Sequence, residues 1–367
     1  MPYTVPLCRK NMASTPPPPS RSALSTKAHR YRMLSSLLSL LDRYLSCPLP
    51  PGPSVEIAIP STISKSPGLI QLYFFNAPSK PLCPRKQTSP CSPRPVLINF
   101  HGGGFSIGHA RDDARWAGTV LKAYPEAVIV SVNYRLAPEQ PFPVALEDGV
   151  DVILWLWQEA QKYNLDRTRF VLSGSSAGGN LALAVPFRLH EELQKKRWAS
   201  MCGEIALAGL VVFYPSTDWT RTRKERDATN PISAQKSMIS PSMYKLFDDS
   251  YLLPASLPKR QGTGRTDMSH PYLSPGLAPA SLLHASYPPA VAIYTCGWDQ
   301  LLVEGNTFRE RLGGFVEEGK MTSVGGFVVG DVAHGFDKKP SFWRGNQVRE
   351  RMYGDAVNQL KAMWKMD

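Results

Sequence analysis

The stretch Gly174-Ser175-Ser176-Ala177-Gly178 sets a serine between two glycines, each two residues away. An apolar run, Arg169–Ser173, leads in, and a run with helical spacing from Ala177 to about Leu193 leads out. A strand-to-helix corner of this kind holds its serine at positive φ with the hydroxyl exposed. Gly174 and Gly178 then remove side chains that would collide with neighbouring strands. The positive end of the following helix points at Ser176. Taken alone the pattern is also that of a Gly/Ser-rich β–α turn. A second motif, His101-Gly102-Gly103-Gly104, follows the apolar run Val96–Phe100, 75 residues before Ser176. Consecutive glycines let backbone N–H groups approach a substrate oxygen. Gly103 and Gly104, with Ala177, are assigned as donors to a developing oxyanion, each contributing ~3–4 kcal/mol in a transition state.

A serine hydroxyl is a weak nucleophile until a base takes its proton, and histidine suits that task near neutral pH. Of the seven histidines, His29 falls on an N-terminal helix, His190 late on the helix after Ser176, and His270 and His284 in a long intervening segment. His101 and His109 flank the glycine loop, where His101, with Gly102, is expected to order it. His334 follows the last apolar strand run and is assigned as the base. The acid that orients it should lie after another strand, between the serine and the histidine in the chain. Asp299 follows the run Ala290–Thr295 and is assigned that role, with Glu304, Asp331 and Asp337 as rivals. Nothing in this chemistry requires a metal or an organic cofactor.

The elements that must carry these residues alternate. Strands are expected at Leu69–Phe75, Val96–Phe100, Ala127–Val132, Arg169–Ser173, Leu207–Phe213, Ala290–Thr295 and Ser323–Val329. Helices are expected near 111–124, 144–163, 177–193, 301–318 and 346–365. This rhythm implies a doubly wound, mostly parallel sheet with helices on both faces. About 75 residues between Phe213 and Ala290 are too many for a simple crossover. Within them Ser242–Leu253 has helical character, with Tyr244, Phe247, Tyr251 and Leu252 on one side. The reading is an inserted helical cap whose aromatics, with Trp219, suggest an apolar pocket. The division is 1–23, a basic Pro/Ser-rich leader expected to be disordered; 24–60, an N-terminal cap helix and linker; 61–215 and 289–367, the two parts of the core; and 216–288, the cap. Leu24–Leu45 is expected to be a helix with Tyr31, Leu34, Leu38, Leu41 and Leu45 on one face packed against the body, a membrane-surface helix being the alternative.

With both glycine motifs in place, the chain resembles the hormone-sensitive-lipase branch of the α/β-hydrolases from about Val96 to Phe336. The likeness includes Asn133-Tyr134-Arg135-Leu136-Ala137-Pro138-Glu139, Pro141-Phe142-Pro143, Leu146-Glu147-Asp148, Ser176-Ala177-Gly178-Gly179-Asn180 and the block Asp299 to Gly305. The resemblance implies an α/β-hydrolase fold and a serine hydrolase acting on a carboxylic ester through an acyl-enzyme. Relatives of this kind act on natural-product intermediates. Three positions depart from the family pattern: Ser175 stands where Asp is common, Gln300 where Pro is usual, and Val303 in place of a common acid. The same residues would also serve acyl transfer or lactone formation, and the fold can serve as a non-catalytic small-molecule receptor, although no triad residue is missing here.

Composition bounds the rest. A hydrophobic content of 43% supports a packed core and excludes global disorder. The net charge of +12 is concentrated at one end: residues 1–95 carry twelve Lys/Arg against Asp42 and Glu56. No nucleic-acid-binding motif accompanies these charges, so a nucleic-acid partner is not expected, and the partner is a small-molecule ester. The six cysteines form no metal-ligand spacing and read as free thiols in a reducing compartment. No stretch is long and apolar enough to span a bilayer. A cytoplasmic location is expected, the acid-poor leader leaving organellar targeting open. The oligomeric state is not readable.

Overall fold

A computed structural model describes residues 19–366 apart from 47, 77–91, 199–204, 254–256, 261–263, 265 and 340–345. Most of the basic leader and five cysteines, Cys8, Cys47, Cys83, Cys91 and Cys202, lie outside the described residues; Cys296 is buried and free. In chain order the elements begin with α1 (Arg21–Leu45), β1 (Val55–Pro60), β2 (Leu69–Phe75), β3 (Arg94–Phe100), α2 (Ala114–Ala123), β4 (Val128–Asn133) and α3 (Val144–Gln158). Then come α4 (Ala160–Tyr163), β5 (Leu165–Ser175), α5 (Ala177–Leu193), β6 (Leu207–Phe213), α6 (Arg223–Thr229), α7 (Pro231–Lys236) and α8 (Pro241–Tyr251). The chain closes with α9 (Ala280–Ser286), β7 (Ala290–Trp298), α10 (Leu302–Glu317), β8 (Ser323–Gly325), β9 (Val328–Ala333) and α11 (Gln347–Met363).

The strands form one sheet in the order β1-β2-β4-β3-β5-β6-β7-β8, with β9 also pairing β7. Only β1–β2 and β2–β4 are antiparallel. The central strands are apolar without alternation, β3 being buried at every position, because helices cover both faces. On one face α3, α5 and α10 pack Leu154, Leu181, Leu183 and Phe308 into the larger core. On the other, α2 and α11 bring Trp116, Val120, Tyr353 and Leu360 into the second. The expected fold class is the one observed.

Several local expectations change. β1 was not anticipated; its alternating exposure, with Ile59 buried beside exposed Glu56 and Pro60, marks a half-buried edge strand. The run expected as one strand at Ser323–Val329 is two, β8 and β9, divided at Gly326, whose φ of +90° turns the chain. The helix expected over 144–163 breaks at Glu159. The larger correction concerns α1. Leu24 and Ala28 are buried against Leu246 of α8, and Arg21, Ser25 and Arg32 fasten this half of the helix to Pro138, Ala137 and Glu139. Of the face expected to pack, Tyr31 does join the Leu24, Ala28 and Leu246 cluster, but Leu34, Leu38, Leu41 and Leu45 are exposed, while Ser35, Ser39 and Asp42 turn inward. Asp42 on this inward side pairs with Arg115.

Candidate active site

Parallel register brings the motifs together. Phe100 at the end of β3 pairs with Gly174 of β5, so the loop after β3 meets the corner after β5. Trp298 of β7 pairs with Ala333 of β9, so the residues that follow, Asp299 and His334, are neighbours although 35 residues apart in the chain. All four loops leave the carboxyl ends of parallel strands, where an open α/β sheet makes its crevice.

Ser176 sits at the head of α5 with φ 55° and ψ −116°. This corner is tight: a Cβ on Gly178 would lie 2.0 Å from the Phe100 carbonyl oxygen, and one on Gly174 would lie 2.3 Å from that of Gly178. The strain is held by Ser176 N–H donating to the Phe213 carbonyl at 2.9 Å and by Asn180, whose side chain donates to the Ser216 and Leu273 carbonyls at 2.8 Å each. The Ser176 hydroxyl lies 2.8 Å from His334 Nε2, and His334 Nδ1 lies 2.6 Å from Asp299 Oδ2. Asp299 is buried and its other oxygen accepts the Leu301 N–H at 3.1 Å. Its backbone carbonyl is held by Asn230 Nδ2 at 2.8 Å. With Nδ1–H donating to Asp299, Nε2 is left as the acceptor for the serine proton.

Gly103 and Gly104 take φ of +111° and +57°. Their N–H groups meet no acceptor among the described residues, and Ala177, as the first residue of α5, carries an orphan donor. Gly102 lies against the nucleophile corner, where a Cβ would come 3.4 Å from Ser176 Cβ. His101 is fully buried, stacked on Tyr134 with centroids 4.2 Å apart, and its Nδ1 donates to the Gly102 carbonyl at 2.7 Å. Burial lowers its pKa to about 4, so the ring is neutral and acts on loop shape.

The rival acids are otherwise engaged. Glu304 is buried and accepts from Arg226 Nε at 2.7 Å and Thr217 N–H at 2.9 Å, clamping the start of the segment after β6. Asp337 accepts from Tyr353 at 2.6 Å and from Tyr214 at 2.5 Å. Burial opposes its ionisation, but Lys338 and the two phenols hold its pKa below the usual range. Asp331 is exposed. His29, His190, His270 and His284 lie outside the cavity beside Ser176, and His109 caps the turn before α2.

A cavity of about 420 Å³ opens over Ser176 and His334, walled by Gly103, Gly104 and Ile107, by Met238, Met243 and Phe247 around α8, and by Ser35, Leu38 and Asp42 of α1. A second niche of about 50 Å³ touches the same Ser176 and His334 from behind Phe247, enclosed by Ala177, Trp219, Tyr244 and Leu301. Of the aromatics expected to line a pocket, Tyr251 does not: it is buried, stacked on Phe105 at 3.7 Å. Sequence reasoning missed Asp112 in the large cavity, whose carboxyl is pushed up to about 6 by burial and by Asp113. It also missed what Gln300 does. Its Oε1 accepts from Arg223 at 3.2 Å, and Arg223 grips Asp248 at 2.6 Å and lies over the Tyr244 ring, tying the loop after β7 to α8. Ser175 is buried, with no partner for its hydroxyl among the described residues. Among these residues no cluster of His, Cys, Asp and Glu is arranged for a metal ion.

Residues 97–337 match the model of a family described as alpha/beta hydrolase fold. The chain is 36% identical over 200 residues to probable carboxylesterase 6 of Arabidopsis thaliana, covering 51% of each protein. It is 34% identical over 125 residues to versiconal hemiacetal acetate esterase of Dothistroma septosporum, covering 34% of this chain and 35% of that one. It thus spans about half and about a third of the lengths of these two relatives. Among solved structures, an alpha/beta hydrolase enzyme from the metagenome of Lake Arreo, Spain, superposes with a TM-score of 0.68 at 22% identity, covering 94% of this chain and 92% of the other.

Proposed function

The chain belongs to the α/β-hydrolase fold family, of the hormone-sensitive-lipase-like carboxylesterase type, and on that premise we propose that it hydrolyses a carboxylic ester through an acyl-enzyme on Ser176. The observation that carries this reading is the unbroken relay of Ser176 Oγ, His334 and Asp299, at 2.8 and 2.6 Å, at the floor of a cavity. In this scheme His334 Nε2 takes the serine proton as Oγ attacks the ester carbonyl. The oxyanion is received by the N–H groups of Gly103, Gly104 and Ala177. His334, held as imidazolium by Asp299, returns its proton to the leaving alkoxide. It then draws a proton from water, which attacks the acyl-enzyme, and returns that proton to Ser176 Oγ as the acid leaves.

The two unequal spaces beside Ser176 support an unequal ester. An acyl group stays bound until water releases it and is assigned to the smaller space, whereas the bulkier alcohol is assigned to the larger. At about 10–15 Å³ of cavity volume per water-sized atom, the niche of about 50 Å³ takes roughly three to five atoms beyond the carbonyl. The wide chamber, whose wall includes Leu38, Met238 and Met243, takes an apolar alcohol several times larger. The proposed substrate is therefore a short-chain ester of a medium-sized apolar alcohol, and the acetate ester named for the Dothistroma relative is chemistry of that class. A role in secondary metabolism is consistent with this.

The test is intact-mass analysis after fluorophosphonate treatment of wild type and Ser176→Ala, with p-nitrophenyl esters of rising acyl length assayed alongside. One adduct on wild type, none on the variant, and turnover lost with it are expected. Full turnover by Ser176→Ala would refute the mechanism.

A further inference from the structure

The second half of α1 is amphipathic in the reverse sense. Its inward side lines the cavity with Ser35, Ser39 and Asp42. Its outward side carries Met33, Leu34, Leu37, Leu41, Tyr44 and Leu45, which are 40–74% exposed. Isolated exposed leucines are ordinary, but a contiguous row along three turns of one helix is a surface built to be covered. Among the described residues nothing covers it. The helix is too polar to cross a bilayer, and no helix of the described residues qualifies for that. A helix lying in the plane of a lipid surface requires an apolar face flanked by basic residues. α1 provides both: Arg30 is exposed one turn before Met33, and Lys27 a turn earlier pairs with no acid among the described residues, donating instead to the Ser242 carbonyl. The only acid of α1, Asp42, faces inward and is paired with Arg115. A second copy of the chain is the poorer cover, because it would appose two molecules of net charge +12.

We infer that the outward face of α1 docks the protein on an anionic lipid surface, with the mouth of the substrate cavity at the edge of the contact. Leu38 belongs to both features, being half-exposed beside this face and part of the cavity wall, and exposed Met238 sits on the opposite lip. An apolar ester dissolved in the lipid would then reach the chamber without crossing bulk water.

The full chain is sedimented with vesicles of phosphatidylcholine alone and of phosphatidylcholine with about 30 mol % phosphatidylserine, which raises the negative surface potential. Binding to the anionic vesicles, weaker at high salt and weaker still without phosphatidylserine, is expected. The double variant Leu37→Ser/Leu41→Ser removes apolar surface at two exposed positions outside the cavity wall. Its binding is expected to fall at least about tenfold, with the thermal midpoint unchanged. Sedimentation is read without catalysis, so failure of the hydrolase reading and failure of the docking are separable. Docking is overturned if wild type stays in the supernatant with anionic vesicles or if the double variant binds equally well. It is overturned also if wild type is a dimer in solution that the double variant dissolves.

Discussion

Replacing Phe247 by alanine should change which acyl chains the site accepts while sparing the chemistry. The Phe247 ring is common to the wall of the chamber and the wall of the niche, and so separates the two. With the ring present, the niche of about 50 Å³ holds at most a hexanoyl chain, at about 10–15 Å³ per atom, but not the two further methylenes of an octanoyl chain. Without it, the niche opens into the chamber and those methylenes can be buried. Each buried methylene is worth about 0.8 kcal/mol. Two methylenes therefore give about 1.6 kcal/mol, or roughly 15-fold in kcat/KM at 1.36 kcal/mol per decade. The assay is kcat/KM for p-nitrophenyl hexanoate and octanoate on wild type and Phe247→Ala, with the thermal midpoint as the check on folding. The ratio of octanoate to hexanoate should rise by about that factor. A folded variant whose ratio is unchanged would refute the partition of the site by Phe247. A fall in both rates together would mean that the ring positions the glycine loop rather than bounding the acyl group.

Other consequences follow from single contacts. Asp299→Asn keeps the shape of the relay but removes the carboxylate that sets the His334 tautomer, so kcat on p-nitrophenyl acetate should fall roughly ten-thousand-fold with the fold intact by circular dichroism. Arg135→Ala leaves Asp148, which is fully buried and held at 2.6 Å by Arg135, without its partner; denaturant unfolding should show a loss of about 3–5 kcal/mol. For Asp112, burial and Asp113 raise the folded pKa to about 6 against an ordinary carboxylate near 4, so the folded state holds the proton more tightly. Stability from this group is full below about pH 4 and declines as pH rises to about 6. Asp112→Asn should therefore raise the thermal midpoint above pH 6 relative to wild type, and the gain should vanish near pH 4.

The sheet and its order of chemistry were legible because buried parallel strands announce themselves as apolar runs. Leu69–Phe75, Leu207–Phe213 and the helix Ala177–Leu193 appear with the expected bounds. The glycine motifs were legible for a different reason: Gly178 and Gly174 sit where a Cβ would meet backbone at 2.0 and 2.3 Å, and such positions accept only one residue type. β1 escaped notice because an edge strand buries one side of a short segment and breaks off at prolines. The orientation of α1 was misjudged because helical periodicity identifies an apolar face but not what that face meets; its partners, such as Arg115 for Asp42, 73 residues away, come only with the fold. The roles of Gln300 and Asp112 were hidden for a related reason. Each depends on a partner brought near by the fold, Arg223 for one and the buried wall beside Asp113 for the other.

The glycine loop and α8 touch at one point with a consequence for how such a site can diverge. A Cβ at position 104 would fall 2.1 Å from the Phe247 ring, and φ of +57° disfavours a side chain there independently. The loop side of that boundary is therefore the more constrained, and drift in acyl preference runs most readily through residue 247 and its neighbours on α8. In a collection of homologous sequences, variation in chain-length preference should track position 247 while 102 to 104 stay glycine. A lineage that lost the ring at 247 would gain room at 104, where φ of +57° would still disfavour a larger residue without barring it, as Phe105 at φ +59° beside it shows.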